Sequence, residues 1–177
     1  MLETARLNLR ELTVEDADFI VAQLNDPDFI RNVADRGVRT AEGARTYLLD
    51  GPLASYRRHG FGLWLVESRD SRTPMGLCGL IKRDSLPDVD LGYAFLPPFR
   101  GQGFALEAAT ASMAFGRTLG LTRVVAIVSP HNADSIKLLA KLGFRYERRT
   151  RLADDAEELA LFASAPPAHA PGQRGEH

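Results

Sequence analysis

Val89-Asp90-Leu91-Gly92-Tyr93-Ala94-Phe95-Leu96-Pro97-Pro98-Phe99-Arg100-Gly101-Gln102-Gly103-Phe104-Ala105-Leu106-Glu107-Ala108 changes character twice along its length. Asp90 to Leu96 alternates and is rich in apolar residues, which predicts a strand. Pro97-Pro98 stops it, because proline has no N–H for a sheet ladder. Gly101 and Gly103 then open a segment of alanine, leucine and glutamate with high helix propensity. A strand therefore runs through a glycine turn into a helix N-terminus. That geometry aims unpaired backbone N–H groups and the positive end of a helix dipole at one point. It suits an anion, most naturally a phosphate or pyrophosphate.

Two phosphate motifs fail on residues. A P-loop ends in Lys-Ser/Thr, and Phe104-Ala105 stand there instead. The dinucleotide fingerprint G-x-G-x-x-G needs a third glycine where this chain has Leu106. The turn also comes late, after a meander of strands, and not in a leading βαβ unit.

Working outward toward the N-terminus, Met75–Lys82 and Phe61–Glu67 read as strands joined by the polar turn Ser68–Pro74. Thr40 is a candidate N-cap for a helix to about Leu49, which Gly51-Pro52 interrupts before a further turn to Arg58. Thr13 and Asp16 mark another helix start, and Asp26-Pro27 ends that helix. Asp28–Val33 reads as a short helical turn. Arg6–Leu12 alternates as a first strand. Toward the C-terminus, the helix from the glycine turn is expected to run to Leu119, with Phe104, Ala108, Ala111, Phe115 and Leu119 buried and Gly120 as C-cap. Arg123–Val128 is a continuous apolar run, expected to be a strand covered on both faces. Ala133–Leu142 is a helix closed by Gly143. Phe144–Arg149 and Glu157–Ala163 form a last strand pair. Residues 164–177 are Ala, Pro, Gly and polar, and read as a disordered tail behind one domain spanning 1–163. The order predicts an α+β, or mixed α/β, fold.

Composition narrows the function classes. The chain has 177 residues, enough for one domain with a sizeable core. A net charge of −1 argues against a generally basic nucleic-acid binder. One cysteine, Cys78, excludes an intramolecular disulfide framework and fits a reducing cytoplasm. The opening residues lack the apolar core of a signal peptide. No apolar run approaches the ~20 residues of a membrane span. No histidine–cysteine–carboxylate spacing suggests a metal.

Arg100-Gly101-Gln102-Gly103-Phe104-Ala105 does match Arg/Gln-x-x-Gly-x-Gly/Ala. It resembles the acetyl-coenzyme-A pyrophosphate loop of the GNAT N-acetyltransferases. The wider string from Gly92 to Ala108 is similar to the ribosomal-protein-alanine acetyltransferase (RimJ/RimL-type) branch. Asn132-x-x-Ser135-x-x-x-x-x-Lys141-x-Gly143-Phe144 matches the same branch independently, as does Leu-x-Thr-x-Arg-Leu-x-Leu-Arg from Leu2 to Arg10.

The resemblance implies a GNAT fold: a mostly antiparallel, twisted sheet of six or seven strands flanked by helices, with the family's fourth and fifth strands splayed. It implies acetyl-CoA as co-substrate, direct acetyl transfer to a primary amine in a ternary complex, and a cytoplasmic monomer or homodimer. The acceptor is expected to be a protein N-terminus or a small amine. Gly101, Gly103, Phe104 and Ala105 are expected to hold the pyrophosphate through backbone N–H groups. Arg100 and Gln102 are expected to act as much by backbone as by side chain, and Arg100 is a candidate partner for a cofactor phosphate. Phe95 or Leu96 is expected to supply an N–H to the oxyanion, since the prolines have none.

Asn132 is expected on the pantetheine amide. Many relatives carry a thiolate-protonating tyrosine seven positions after this asparagine. Leu139 stands there, so Ser135 is the nearest candidate for the leaving thiolate. Asp90 occupies the position where relatives often have a glutamate base, with His131, His59 and Glu107 as lesser candidates and Glu107 more naturally structural. Cys78 reads as packed core. The acceptor side is expected between Asp26 and Gly60 and at the turn carrying Asp154, Asp155, Glu157 and Glu158, an acidic rim suited to a cationic amine. The missing tyrosine leaves a second reading, a non-catalytic acyl-CoA-binding regulatory domain.

Overall fold

The computed structural model describes residues 1–165. Beyond Ala165, the tail expected from 164 onward lies outside the described residues. One open sheet of eight strands runs in the order β1-β2-β3-β4-β5-β6-β8-β7. The strands are β1 (Leu2–Glu3), β2 (Leu7–Glu11), β3 (Leu63–Ser68), β4 (Pro74–Ile81), β5 (Val89–Phe95), β6 (Val124–Val128), β7 (Arg145–Thr150) and β8 (Leu159–Ala163). Six helices accompany them: α1 (Ala17–Leu24), α2 (Pro27–Asn32), α3 (Ala41–Asp50), α4 (Pro52–His59), α5 (Phe104–Thr118) and α6 (Ala133–Lys141). The count exceeds the expected six or seven because Leu2–Glu3 pairs antiparallel with β2. Two residues are too short to show any periodicity.

Period-two alternation sorts the core into two layers. Trp64 and Val66 on β3, and Cys78 and Leu80 on β4, face α5. Leu65 and Leu77 face the opposite side, against Ile20 and Leu24 of α1 and Leu48 of α3. Leu65, Leu80, Ile20 and Leu48 are wholly buried, and each such side chain contributes about 1.5–3 kcal/mol.

The buried stripe of α5 differs from the expected one. Ala108, Ala109, Ser112 and Gly116 are buried, whereas Leu119 is 43% exposed. The helix turns its small residues to the sheet, which lets it lie close against β4, while Phe115 reaches sideways to meet Trp64 edge-on at 4.9 Å. A stripe chosen by hydrophobicity alone misses this, because close approach selects for size.

β5 and β6 are the parallel pair in this sheet, and they stay together only at Val89–Val124 and Asp90–Val125. Beyond Asp90 the two strands part. Counted from β2, the strand the sequence marks as first, β5 and β6 are the fourth and fifth strands expected to splay. β6 regains a partner on its other side in antiparallel β8.

Candidate active site

The parted strands open into a cavity of about 470 Å³. Its walls include Asp90–Ala94 of β5, Ala126–Ser129 at the end of β6, Asn132, Ser135 and Leu139 at α6, and a basin built from α2, α3 and α4. Alternation along β5 decides which side chain serves which face. Tyr93 packs with the α5 layer and Ala94 with the α1–α3 layer. Asp90, three residues before Tyr93, therefore lies on the basin face, opposite Tyr93.

The glycine turn sits at one end of the gap. Pro97–Phe99 forms a single 3₁₀ turn, and Gly101 and Gly103 take φ of 71° and 82°. Such left-handed conformations favour glycine. Gly103 occupies the N-cap of α5, and no side chain caps that helix. The N–H groups of its first turn thus face outward without a side-chain acceptor, as an anion site requires.

Two side chains of the turn are used inward. Gln102 donates from Nε2 to Pro98 O at 2.8 Å. Arg100 donates from Nε to Phe95 O at 2.9 Å and pairs with both Asp26 and Asp28 of the α2 start. Two carboxylates and a carbonyl thus engage the Arg100 guanidinium in this structure. It ties the turn to α2.

A second clamp holds the turn from the other side, and the sequence reading missed it. Arg6 donates from Nη1 to Gln102 O at 3.0 Å and stacks over the Phe104 ring at 4.3 Å. Its Nε donates to Glu107 at 2.7 Å, and Thr4 Oγ1 and Arg6 N donate to the same carboxylate. Burial pushes the Glu107 carboxyl up, but the hydrogen bonds from Thr4 and Arg6 outweigh it and hold it below the usual range. Glu107 is structural, as expected. The opening motif from Leu2 to Arg10 contained the signal.

Inside the gap, Leu96 N donates to Met75 O at 3.0 Å. Of the two candidate N–H groups, that of Leu96 is thus engaged by β4. Successive N–H groups of a strand point to opposite edges, so Phe95 turns its own toward the parted β6.

Asn132 caps α6, its Oδ1 accepting from Ser135 N at 3.2 Å. The cap leaves the Asn132 amide nitrogen free among the described residues. Ser135 Oγ lies 2.6 Å from the Tyr93 hydroxyl, which also reaches Ser135 O at 3.3 Å. Tyr93 is the main residue that sequence reasoning passed over. Its hydroxyl reaches Ser135 from β5, whereas the α6 position seven residues after Asn132 is Leu139. Burial pushes its phenol up to about 12, against the hydrogen bond with Ser135.

Asp90 is 1% exposed and accepts from Arg83 Nε at 3.2 Å. Burial raises its carboxyl pKa even though the Arg83 charge opposes the shift. Cys78 is wholly buried beside Ser112, 3.4 Å away, and burial pushes its thiol up to about 12. It is packed core. His131 is an exposed loop residue, and His59 ends α4 at the cavity wall, stacked on Phe61.

The acidic turn is not where the acceptor expectation needs it. Only Leu152 and Leu159 of that segment reach the cavity. Glu158 is paired with Arg149 of β7 and with Arg151 just beyond that strand.

Comparison with known proteins identifies the family. Residues 6–145 match the family described as "Acetyltransferase (GNAT) domain". An uncharacterized N-acetyltransferase of Bacillus subtilis, YoaA, is 30% identical over 149 residues, covering 83% of this chain and 84% of that protein. The [Ribosomal protein uS5]-alanine N-acetyltransferase of Escherichia coli is 38% identical over 68 residues, 38% of this chain and 35% of that protein. The structure described as RimL, a ribosomal L7/L12 alpha-N-protein acetyltransferase in complex with coenzyme A, superposes with a TM-score of 0.78. It is 17% identical and covers 90% of this chain and 94% of that one. The chain belongs to the GNAT acetyltransferase family and is an N-acetyltransferase.

Proposed function

We propose that this enzyme moves the acetyl group of acetyl-CoA directly to a primary amine, with the pyrophosphate on the α5 N-terminus and the thioester in the gap between β5 and β6. The observation that carries this reading is the placement of two features at one gap. An uncapped helix start follows the splayed end of β5, and a hydroxyl pair, Tyr93 and Ser135, lines the cavity. The coenzyme A bound by the RimL neighbour supports the same use of the fold.

Asn132 would donate its amide hydrogens to a carbonyl of the pantetheine arm. The acceptor amine, charged at neutral pH, gives a proton to Asp90 through a water, and its lone pair attacks the thioester carbon. The carbonyl π pair moves to oxygen, where the Phe95 N–H receives the charge. The attacking nitrogen loses its second proton to solvent water, the pair returns from oxygen as the carbon–sulfur bond breaks, and Asp90 passes its proton to solvent on product release. The coenzyme leaves as thiolate and takes its proton from solvent after release. Tyr93 stays protonated through this cycle. It donates to Ser135 Oγ, so the serine O–H is free to donate to the sulfur as charge grows there. Thiols have a pKa of about 8.5, so a hydrogen bond suffices where a strong acid is absent.

Release of free thiol from acetyl-CoA, screened over amines and peptides, tests the reading. Acceptor-dependent release that falls in Asn132→Ala and Ser135→Ala is expected. Acetyl-CoA binding without release for any acceptor would favour the non-catalytic acyl-CoA-binding domain.

A further inference from the structure

The basin beyond Asp90 carries a charge that the sequence did not suggest. Its permanent cations are Arg36, Arg58, Lys82 and Arg83, against the carboxylates Asp50 and Asp90. Lys82 is committed to the carbonyls of Arg83 and Leu86, at 2.9 and 2.6 Å. Arg83 uses only Nε on Asp90, which leaves both terminal nitrogens of its guanidinium. Arg36 makes no ion pair among the described residues. Tyr47 lines the same basin as these arginines. Burial raises its phenol, and the charges of both Arg36 and Arg83 reach it and oppose that shift. Three separate elements therefore bring two guanidiniums and a phenol together: the loop after α2, the middle of α3 and the turn after β4.

We propose that Arg36, Tyr47 and Arg83 form a carboxylate-binding subsite, so that the acceptor is an amine bearing a carboxylate. This rests on the acetyl-transfer reading for its position beside the base. Guanidinium forks match a planar carboxylate with paired, charge-assisted hydrogen bonds, and a partly desolvated wall strengthens them. Arg83 touches both the base and the subsite. A carboxylate seated there brings a nearby amine toward Asp90, as in a free α-amino acid or an acidic amino-terminal peptide. The same charges repel polyamines and polycationic small molecules.

Matched acceptors test this on the full chain. One arm pairs free α-amino acids with their α-amides. The other pairs C-terminally amidated peptides beginning Ser-Asp-Asp with those beginning Ser-Asn-Asn. Spermine is the cationic control. The carboxylated member of at least one arm should have kcat/KM higher by about tenfold or more, and the arm that shows it identifies the source of the carboxylate. Arg36→Gln and Tyr47→Phe should remove that preference through KM, with acetyl-CoA affinity unchanged. Equal or better use of the amides, the Asn peptides or spermine overturns the subsite.

Calorimetry of the same probes on the coenzyme A complex separates the two readings. Carboxylate binding that is lost in Arg36→Gln, without thiol release, keeps the subsite and overturns acetyl transfer. No difference in binding between matched members overturns the subsite.

Discussion

The hydroxyl of Tyr93, on the strand that flanks the gap, lies 2.6 Å from Oγ of Ser135, in the first turn of the helix across it. The pair joins β5 to α6 across the gap. Burial pushes the phenol up to about 12, so it stays protonated at any working pH and is able to donate to Ser135 Oγ. Tyr93→Phe should lower kcat about tenfold, near 1.4 kcal/mol of barrier, the scale of one lost hydrogen bond. The KM for acetyl-CoA should change little. An acetyl thioester of a more acidic aryl thiol should be less sensitive to the substitution, since its thiolate needs less help. Steady-state kinetics on the two thioesters, with Ser135→Ala and the double variant, give the coupling. Full turnover in Tyr93→Phe would remove the pair from the mechanism.

Gly103 marks where the coenzyme's charged end is expected. At φ of 82° a β-branched side chain is strained, and a Cβ there sits 3.4 Å from Arg6 Nη2. Gly103→Val should weaken acetyl-CoA binding about tenfold or more, the factor set by 1.4 kcal/mol, because the anion can no longer approach the helix start. Titration calorimetry with acetyl-CoA checks this, and circular dichroism checks that the sheet survives. Unchanged affinity would place the pyrophosphate elsewhere.

How far the residues alone reveal this molecule depends on the range of the contact. The strand, glycine turn and helix are local, and their chemistry is written in Pro97, Gly101 and Gly103. The Asn132 cap is local too. Tyr93 was invisible as a partner because 42 positions separate it from Ser135, and only the alternation of β5 says which face it takes. The Arg6–Glu107 clamp spans 101 positions. The Arg100 pairs with Asp26 and Asp28 were not legible because those partners lie 74 and 72 positions away. The basic basin is assembled from three elements, and no stretch of sequence displays it. The acidic residues at 154–158 are adjacent in sequence and so were conspicuous.

Glu107 should make the coenzyme loop sensitive to acid. Its carboxyl is held below the usual range in the folded protein. The stability it contributes is therefore complete above the unfolded carboxylate pKa. It is lost as pH falls through the lower, folded value. Glu107→Gln should cost on the order of 1 kcal/mol at pH 7, a charge-assisted bond discounted for partial exposure, and much less at pH 3. Urea melts at both pH values measure the difference. A cost that is the same at both would show that charge on Glu107 is irrelevant to the clamp.

Asp90 should behave in the opposite sense. Burial raises its pKa in the folded protein, so the native state holds this proton more tightly than the unfolded chain does. Between the two values stability falls as pH rises, and above both the ionised group carries its full cost. That cost is what a base near the acceptor requires, since a raised pKa makes the carboxylate a better proton acceptor at neutral pH. Asp90→Asn should lower kcat about a hundredfold, the usual contribution of a positioned base. It should also flatten the acid limb of kcat/KM, because the group whose deprotonation produces that limb is gone. Acetyl-CoA affinity should hold, since Asp90 faces the basin. A variant that retains the acid limb with kcat intact would move the base to another residue and leave the Arg83–Asp90 pair as a wall of the acceptor basin.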